Sequence, residues 1–135
     1  MMEVRKKKSL RAFVVDDMAS MRMVIKAVLN QMGCTDIVEA SNGKDAVQYL
    51  ITNNNTVDIL ICDWNMPGMT GLEVLQTVRA KPELKRLPVL LVTAEQSKQQ
   101  VRDAVQAGVT GYVSKPFTPA ILQAHIQACL NKYST

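Results

Sequence analysis

Five residues with chemistry to offer stand at the ends of apolar runs. Asp16-Asp17 follow the run Leu10 to Val15, and Asp63 closes Val57-Asp58-Ile59-Leu60-Ile61-Cys62. Thr93 ends Val89-Leu90-Leu91-Val92, and Lys115 follows Gly111 to Ser114. If the runs are parallel strands of one sheet, their carboxyl ends meet on one rim, where open α/β folds keep their ligands. Three negative charges crowded there demand a cation. A few carboxylates and a carbonyl suit Mg²⁺, which takes oxygen ligands in octahedral geometry and retains several waters. A carboxylate can also attack phosphorus and form an aspartyl phosphate. For that, a metal neutralises charge on the transferring oxygens, and Lys115 and the Thr93 hydroxyl are placed to hold the others.

The elements that position these groups alternate five times between strand-like and helix-like patterns. Met21, Val24, Ile25, Val28, Leu29 and Met32 recur at three- and four-residue spacing, which predicts one face of a helix from about Ser20 to Met32, closed by Gly33. A short strand over Ile37 to Ala40 follows. After the turn Ser41-Asn42-Gly43, a second helix points Ala46, Val47, Leu50 and Ile51 inward. The third strand carries Asp63. Thr70 with Glu73 three residues on reads as a capping box opening a helix to about Ala80. Pro82 and Pro88 punctuate the way to the fourth strand. Ser97 with Gln100 caps a fourth helix that buries Val101, Ala104 and Val105 and stops near Gly108. Thr118 as cap and Pro119 at the first helical position start the last helix, with Leu122, Ile126, Cys129 and Leu130 toward the core.

This alternation implies parallel strands with helices on both faces, because a parallel crossover needs a dozen or so residues and is usually helical. The first, third and fourth strands are apolar nearly throughout, as strands buried on both faces should be. They are the central ones.

The chain of 135 residues is 47% hydrophobic and 21% charged, an ordinary globular composition that fits one domain and one core. No apolar run approaches the ~18 residues a bilayer span needs. Met1 to Lys8 lacks the apolar stretch of an export signal, so the protein reads as cytoplasmic. Cys34, Cys62 and Cys129 have no metal-type spacing and read as reduced thiols, Cys62 in the core. The net charge of +4 belongs mainly to a tail, because residues 1–8 hold four bases and one acid and leave 12 bases against 11 acids elsewhere. A basic tail at 1–9 and a folded unit at 10–133 follow, with disorder expected only at the two ends. A short basic terminus is usually solvated, and no DNA-binding motif accompanies it, so nucleic acid is not an expected partner. Neither is a membrane.

At these residues the sequence resembles the receiver domain of two-component response regulators, over about Leu10 to Tyr133. Val14-Val15-Asp16-Asp17, Asp63 with Met66-Pro67-Gly68, Thr93-Ala94 and Lys115-Pro116-Phe117 fall in order at family-like intervals. Cys62 to Pro67, Pro88 to Glu95 and Gly111 to Thr118 are most similar to its chemotaxis branch. The resemblance implies a doubly wound, flavodoxin-like five-stranded parallel sheet of order 2-1-3-4-5. It implies Asp63 as phosphoacceptor, with Asp16, Asp17, Asp63 and the Asn65 carbonyl around Mg²⁺. Thr93 and Lys115 become the groups that sense the phosphoryl oxygens, and Asn65 and Glu95 tune how fast the phosphoryl group is lost. Movement of Thr93 would let Tyr112 turn from solvent into the core. The Lys115-Pro116 bond is cis in this family.

The implied partners are a sensor histidine kinase and, for the chemotaxis branch, the flagellar switch protein or a phosphatase, bound by a monomer. No appended output domain is expected, so the receiver surface is the expected output. That branch binds the switch through the fourth helix, fifth strand and fifth helix, using a tyrosine and lysines; Lys98, Tyr112 and Lys115 match. His125 and Ala128 replace two lysines, and Asp103 adds an acid. Switch binding is therefore expected to be weakened or redirected, with a phosphate-sink role as the alternative.

Three competing readings fit less well. A flavodoxin-like cofactor binder needs glycines and hydroxyls at its phosphate loop, where Asp16-Asp17-Met18 would repel an anion. A dehalogenase-type phosphatase has its nucleophile on the first strand with an acid two residues on, whereas here the two acids are adjacent. A receiver that no longer takes phosphate would not retain Asp63, Thr93 and Lys115 together. Self-phosphorylation and self-dephosphorylation are thus the only catalysis expected. Trp64 is placed to report events at Asp63 by fluorescence or to stand as a surface aromatic. His125, the sole histidine, reads as structural or surface.

Overall fold

Three strands lie inside the protein, all but the half-buried Arg11 at the start of the first, and the alternation of their side chains splits the core into two layers. In the computed structural model, which describes residues 10–95 and 97–132, these are β1 (Arg11–Val15), β3 (Ile59–Asp63) and β4 (Val89–Thr93). Successive side chains of a strand point to opposite faces. Phe13, Val15, Leu60, Cys62, Val89 and Leu91 accordingly enter one layer, and Ala12, Val14, Ile59, Ile61, Leu90 and Val92 the other. The first layer is closed by Ala46 and Leu50 of α2 (Gly43–Thr52) and by Val74, Leu75 and Val78 of α3 (Gly71–Ala80). The second is closed by Ile25, Val28 and Leu29 of α1 (Ala19–Gln31) and by Leu122, Ile126 and Cys129 of α5 (Pro119–Lys132).

The half-buried β2 (Asp36–Ala40) and β5 (Gly111–Ser114) form the edges of a wholly parallel sheet of order β2-β1-β3-β4-β5. This is the doubly wound order expected, with helices on both faces of the sheet. The tail at 1–9 and the end beyond Tyr133, both expected to be disordered, lie outside the described residues, as does Tyr133 itself.

The caps follow the local chemistry. Thr70 Oγ1 accepts from Glu73 N–H while Glu73 reaches back to the Thr70 N–H, completing the capping box of α3. Ser97 Oγ accepts from Gln100 N–H at the start of α4 (Lys98–Gln106), and Thr118 Oγ1 accepts from Ile121 N–H at α5. Gly33, at φ 90°, ends α1 in a Schellman arrangement: its N–H reaches Asn30 O and the Cys34 N–H reaches Leu29 O.

Four side chains expected in the core are in solvent. Val24 is 45% exposed, Ile51 42%, Val101 38% and Val105 65%. Val24 and Ile51 flank stripes whose centres are buried by Ile25 and Leu50. In α4 the reason is the sheet beneath: α4 adds only Ala104 to the buried core, beside the edge strand β5. A small residue there seats the helix, and the longer valines on the same helix stay outside. Among the described residues no helix is long and apolar enough to cross a membrane, and all three cysteines are free.

Candidate functional site

Asp16, Asp17 and Asp63 each place a carboxylate oxygen within 4.8 Å of the others at the carboxyl ends of β1 and β3. Asp16 is fully buried, Asp63 is 5% exposed and Asp17 is in solvent. Asp16 Oδ1 accepts from the Met18 N–H at 2.9 Å, while Arg22 donates to the Asp16 carbonyl at 2.7 Å. The Asp16 side chain therefore turns the chain toward α1, whose first helical turn it does not cap. Lys115, half-buried after β5, sends its ammonium back over the sheet, 3.1 Å from Asp63 Oδ1 and 3.4 Å from Asp16 Oδ2. The Lys115 ammonium thus pairs with two of the three acids. Burial, then the charge of Asp16, raise the Asp63 carboxyl above its ordinary value, with Lys115 working against them and Asp17 with them.

Two backbone features set Asp63 in place. The Trp64 N–H continues the ladder to Val92 O at 2.8 Å, and Trp64 O accepts from the Gly71 N–H at 2.9 Å, closing the turn from β3 into α3. A Cβ on Gly71 would fall on the Asp63 carbonyl oxygen and 2.9 Å from Trp64 Cα. Gly71 is thus a residue the site needs that spacing alone did not single out. Asn65 is exposed in this turn, and Gly68 takes φ 77° beyond it.

Thr93 ends β4 beside Asp63, whose strand partner is Val92. It is fully buried, and its Oγ1 accepts from the Glu95 N–H at 3.1 Å and lies 3.5 Å from Gln100 Oε1. The Lys115 N–H bonds Thr93 O at 2.7 Å, and the Lys115-Pro116 bond is cis. Tyr112 is half-buried; its hydroxyl lies 3.2 Å from Glu95 O and 3.4 Å from Gln100 Oε1. Its ring meets Trp64 edge-on at 6.2 Å, so Trp64, only 7% exposed, is no surface aromatic. Burial raises the Tyr112 phenol above its ordinary value.

All nine residues singled out above fall on this rim or beside it. Lys98 stands exposed at the start of α4 and Glu95 exposed just before it. Lys115, however, is occupied by the acids and is not an outward charge. His125 is half-buried and Ala128 exposed on α5. A groove of about 810 Å³ at the opposite rim, lined among others by Leu29, Met32, Leu84 and Leu130, contains none of Asp16, Asp17 and Asp63. The donor set is oxygen only, as a hard divalent cation requires. Carboxylate, lysine and hydroxyl together can accept a phosphoryl group and hold its oxygens.

The family model described as the response regulator receiver domain matches residues 12–127. The chain is 48% identical over 118 residues to the chemotaxis protein CheY of Pseudomonas aeruginosa, covering 87% of this chain and 94% of the relative. Among solved structures, CheY4 of Vibrio cholerae superposes with a TM-score of 0.82 at 31% identity, over 90% of this chain and 99% of that one. The receiver domain of a Pseudomonas aeruginosa sensor histidine kinase, solved with a magnesium ion coordinated in its active-site cleft, gives a TM-score of 0.80 at 25% identity, over 92% and 99%.

Proposed function

Because the chain belongs to the response regulator receiver domain family, we propose that Asp63 is the carboxylate that takes the phosphoryl group from a histidine kinase, in chemotaxis-type signalling. The observation that carries this is the ion pair between Lys115 and a nearly buried Asp63 beside two further acids. Asp16, Asp17 and Asp63, with the Asn65 carbonyl, would hold Mg²⁺. When bound, the ion neutralises charge on the transferring oxygens. Lys115 pairs with another of those oxygens, and the Thr93 hydroxyl donates to a third. Asn65 and Glu95, both exposed at the rim, govern access of water to the product. Residues 10–133 form the receiver and 1–9 its basic tail. The protein acts in the cytoplasm as a monomer.

The metal assignment is tested by melting curves. Two carboxylates about 5 Å apart at an effective dielectric of about 20 repel by roughly 3 kcal/mol before Lys115 is counted. Asp17→Asn and Asp63→Asn are expected to raise the metal-free melting temperature by about 3–6 °C per kcal/mol recovered. Millimolar Mg²⁺ will stabilise the wild type and scarcely the variants. The pH dependence has a definite sign. Since the folded state raises the Asp63 carboxyl, its favourable contribution is complete below the ordinary value of 3.8 and is lost as pH rises through the raised value. The advantage of Asp63→Asn will therefore be present at pH 7 and shrink as pH falls toward 3.8. Equal Mg²⁺ stabilisation of all three proteins would remove these residues from the metal site.

The output face is α4, β5 and α5, with Tyr112 as its switch and Lys98 as its outward charge. Asp103, half-buried and bonded to Gln99, and the half-buried His125 and exposed Ala128 in place of two lysines leave this face less positive than the chemotaxis pattern. These observations favour weakened binding to an acidic flagellar switch peptide, and a role as phosphate sink or toward another partner. Each missing rim charge is worth about 1 kcal/mol or less, mainly through association rate. The beryllofluoride-loaded protein should bind the switch peptide more weakly than the Pseudomonas aeruginosa relative at equal salt, and Ala128→Lys should strengthen it. Equal affinity of the two proteins would reject weakened switch binding.

A further inference from the structure

Among the described residues, the Gln100 side chain has polar contacts with Thr93, Glu95 and Tyr112 alike. Its Oε1 lies 3.5 Å from Thr93 Oγ1 and 3.4 Å from the Tyr112 hydroxyl, and its Nε2 donates to Glu95 Oε1 at 3.3 Å. Its own backbone N–H is fixed by the Ser97 cap at 3.0 Å, so the carboxamide is presented from a rigid helix start. The hydroxyl it faces has little freedom. A threonine hydroxyl carries one proton and two acceptor sites. The Glu95 N–H already donates to Thr93 Oγ1 at 3.1 Å, so the proton is left to Gln100 Oε1, 3.5 Å away, or to the neighbouring Tyr112 hydroxyl.

We infer that Gln100 is a positioning residue that withholds the Thr93 proton from the phosphoryl site, so that a phosphoryl group on Asp63 has to compete with the Gln100 carboxamide for it. This rests on the reading of Asp63 as phosphoacceptor. One proton cannot serve both acceptors. At 3.5 Å the Thr93–Gln100 contact is longer than an ordinary O–H···O bond and correspondingly weak, and a bond to a charged oxyanion is roughly twice as strong as one to a neutral amide. The oxyanion therefore wins, but against a standing cost. When Thr93 turns away, Gln100 Oε1 is left to the Tyr112 hydroxyl alone, which ties the first residues of α4 to the event at Asp63.

The test is a cycle of four proteins: wild type, Gln100→Met, Thr93→Val and the double variant. Beryllofluoride with Mg²⁺ stands in for the phosphoryl group, and bound beryllofluoride is read directly by ¹⁹F NMR. Gln100→Met keeps the length of the side chain and removes the acceptor, and Gln100→Ala serves if the first variant misfolds. In the Thr93 background, loss of the carboxamide should tighten beryllofluoride binding about two- to threefold, the low end of one neutral hydrogen bond. In the Thr93→Val background it should change nothing, because there is no proton left to compete for. A purely structural role for Gln100 would shift affinity equally in both backgrounds. That result, or no shift in the Thr93 background while the wild type binds normally, would overturn the proposal. A wild type with no bound ¹⁹F signal would instead overturn the Asp63 reading, and the role of Gln100 with it.

Discussion

Asp63→Asn will lose labelling by acetyl phosphate by at least ~10³-fold, the scale on which removing a nucleophile acts. Asparagine has nearly the volume of aspartate, so the packing around a position that is 5% exposed survives. What disappears is the anionic oxygen. The neighbours do not replace it: Asp16 is wholly buried with one oxygen on the Met18 N–H and the other toward Lys115, and Asp17 is in solvent. Labelling of the wild type should also require a divalent cation, since otherwise an anionic nucleophile meets an anionic phosphoryl group. Lys115→Ala and Thr93→Ala should retain partial labelling but uncouple it from partner binding, because neither supplies the attacking atom. Radiolabel incorporation with and without chelator measures all four proteins, and normal stoichiometry in Asp63→Asn would move the nucleophile elsewhere.

Gly71→Ala will cost about 3 kcal/mol or more, the upper range for overpacking a filled site. The added carbon has no flexible neighbour to displace. It meets the backbone of Asp63 and Trp64, which is held by the Trp64 N–H to Val92 and by the Gly71 N–H to Trp64 O. Relief therefore requires that the β3–α3 turn move, and Asp63 with it, so whatever protein folds should label poorly. Gly68→Ala is the control. Gly68 has φ 77° but open space around it, so alanine there brings only left-handed backbone strain of roughly 1–2 kcal/mol and leaves Asp63 in place. Thermal melts and labelling of the two variants separate the effects; a Gly71→Ala melt within a degree of wild type would contradict the clash.

Much of this arrangement was legible from residue types. β1, β3 and β4 announced themselves because strands covered on both faces must be apolar throughout, and the polar residue that ends each run then marks the rim. Caps at Thr70, Ser97 and Thr118 could be read because each pairs an oxygen with an N–H three residues on. Strand order came through family resemblance. Burial on α4 could not be read: apolar spacing identifies a stripe, but not which member of it sits over an edge strand, and Ala104 displaced both valines. Gln100 looked like an N-terminal helix residue with a backbone role in a cap, and its side-chain partners are set by tertiary placement alone. Gly71 gave no signal for a similar reason, since the atoms that forbid a side chain there come from a turn eight residues earlier. Lys115 was read for its place on the rim, while its reach to Asp16 across the sheet appears only in three dimensions.

α4 is seated by a single alanine, and Arg79 of α3 bonds the Gly108 carbonyl just past its end. Little of the stability of the domain is therefore invested in the outward residues of that helix. Substitutions at Val101, Arg102 or Val105 can accumulate without eroding the core or the acidic rim. A lineage carrying this chain can exchange one binding partner for another in small, individually tolerable steps while the chemistry at Asp63 is inherited unchanged.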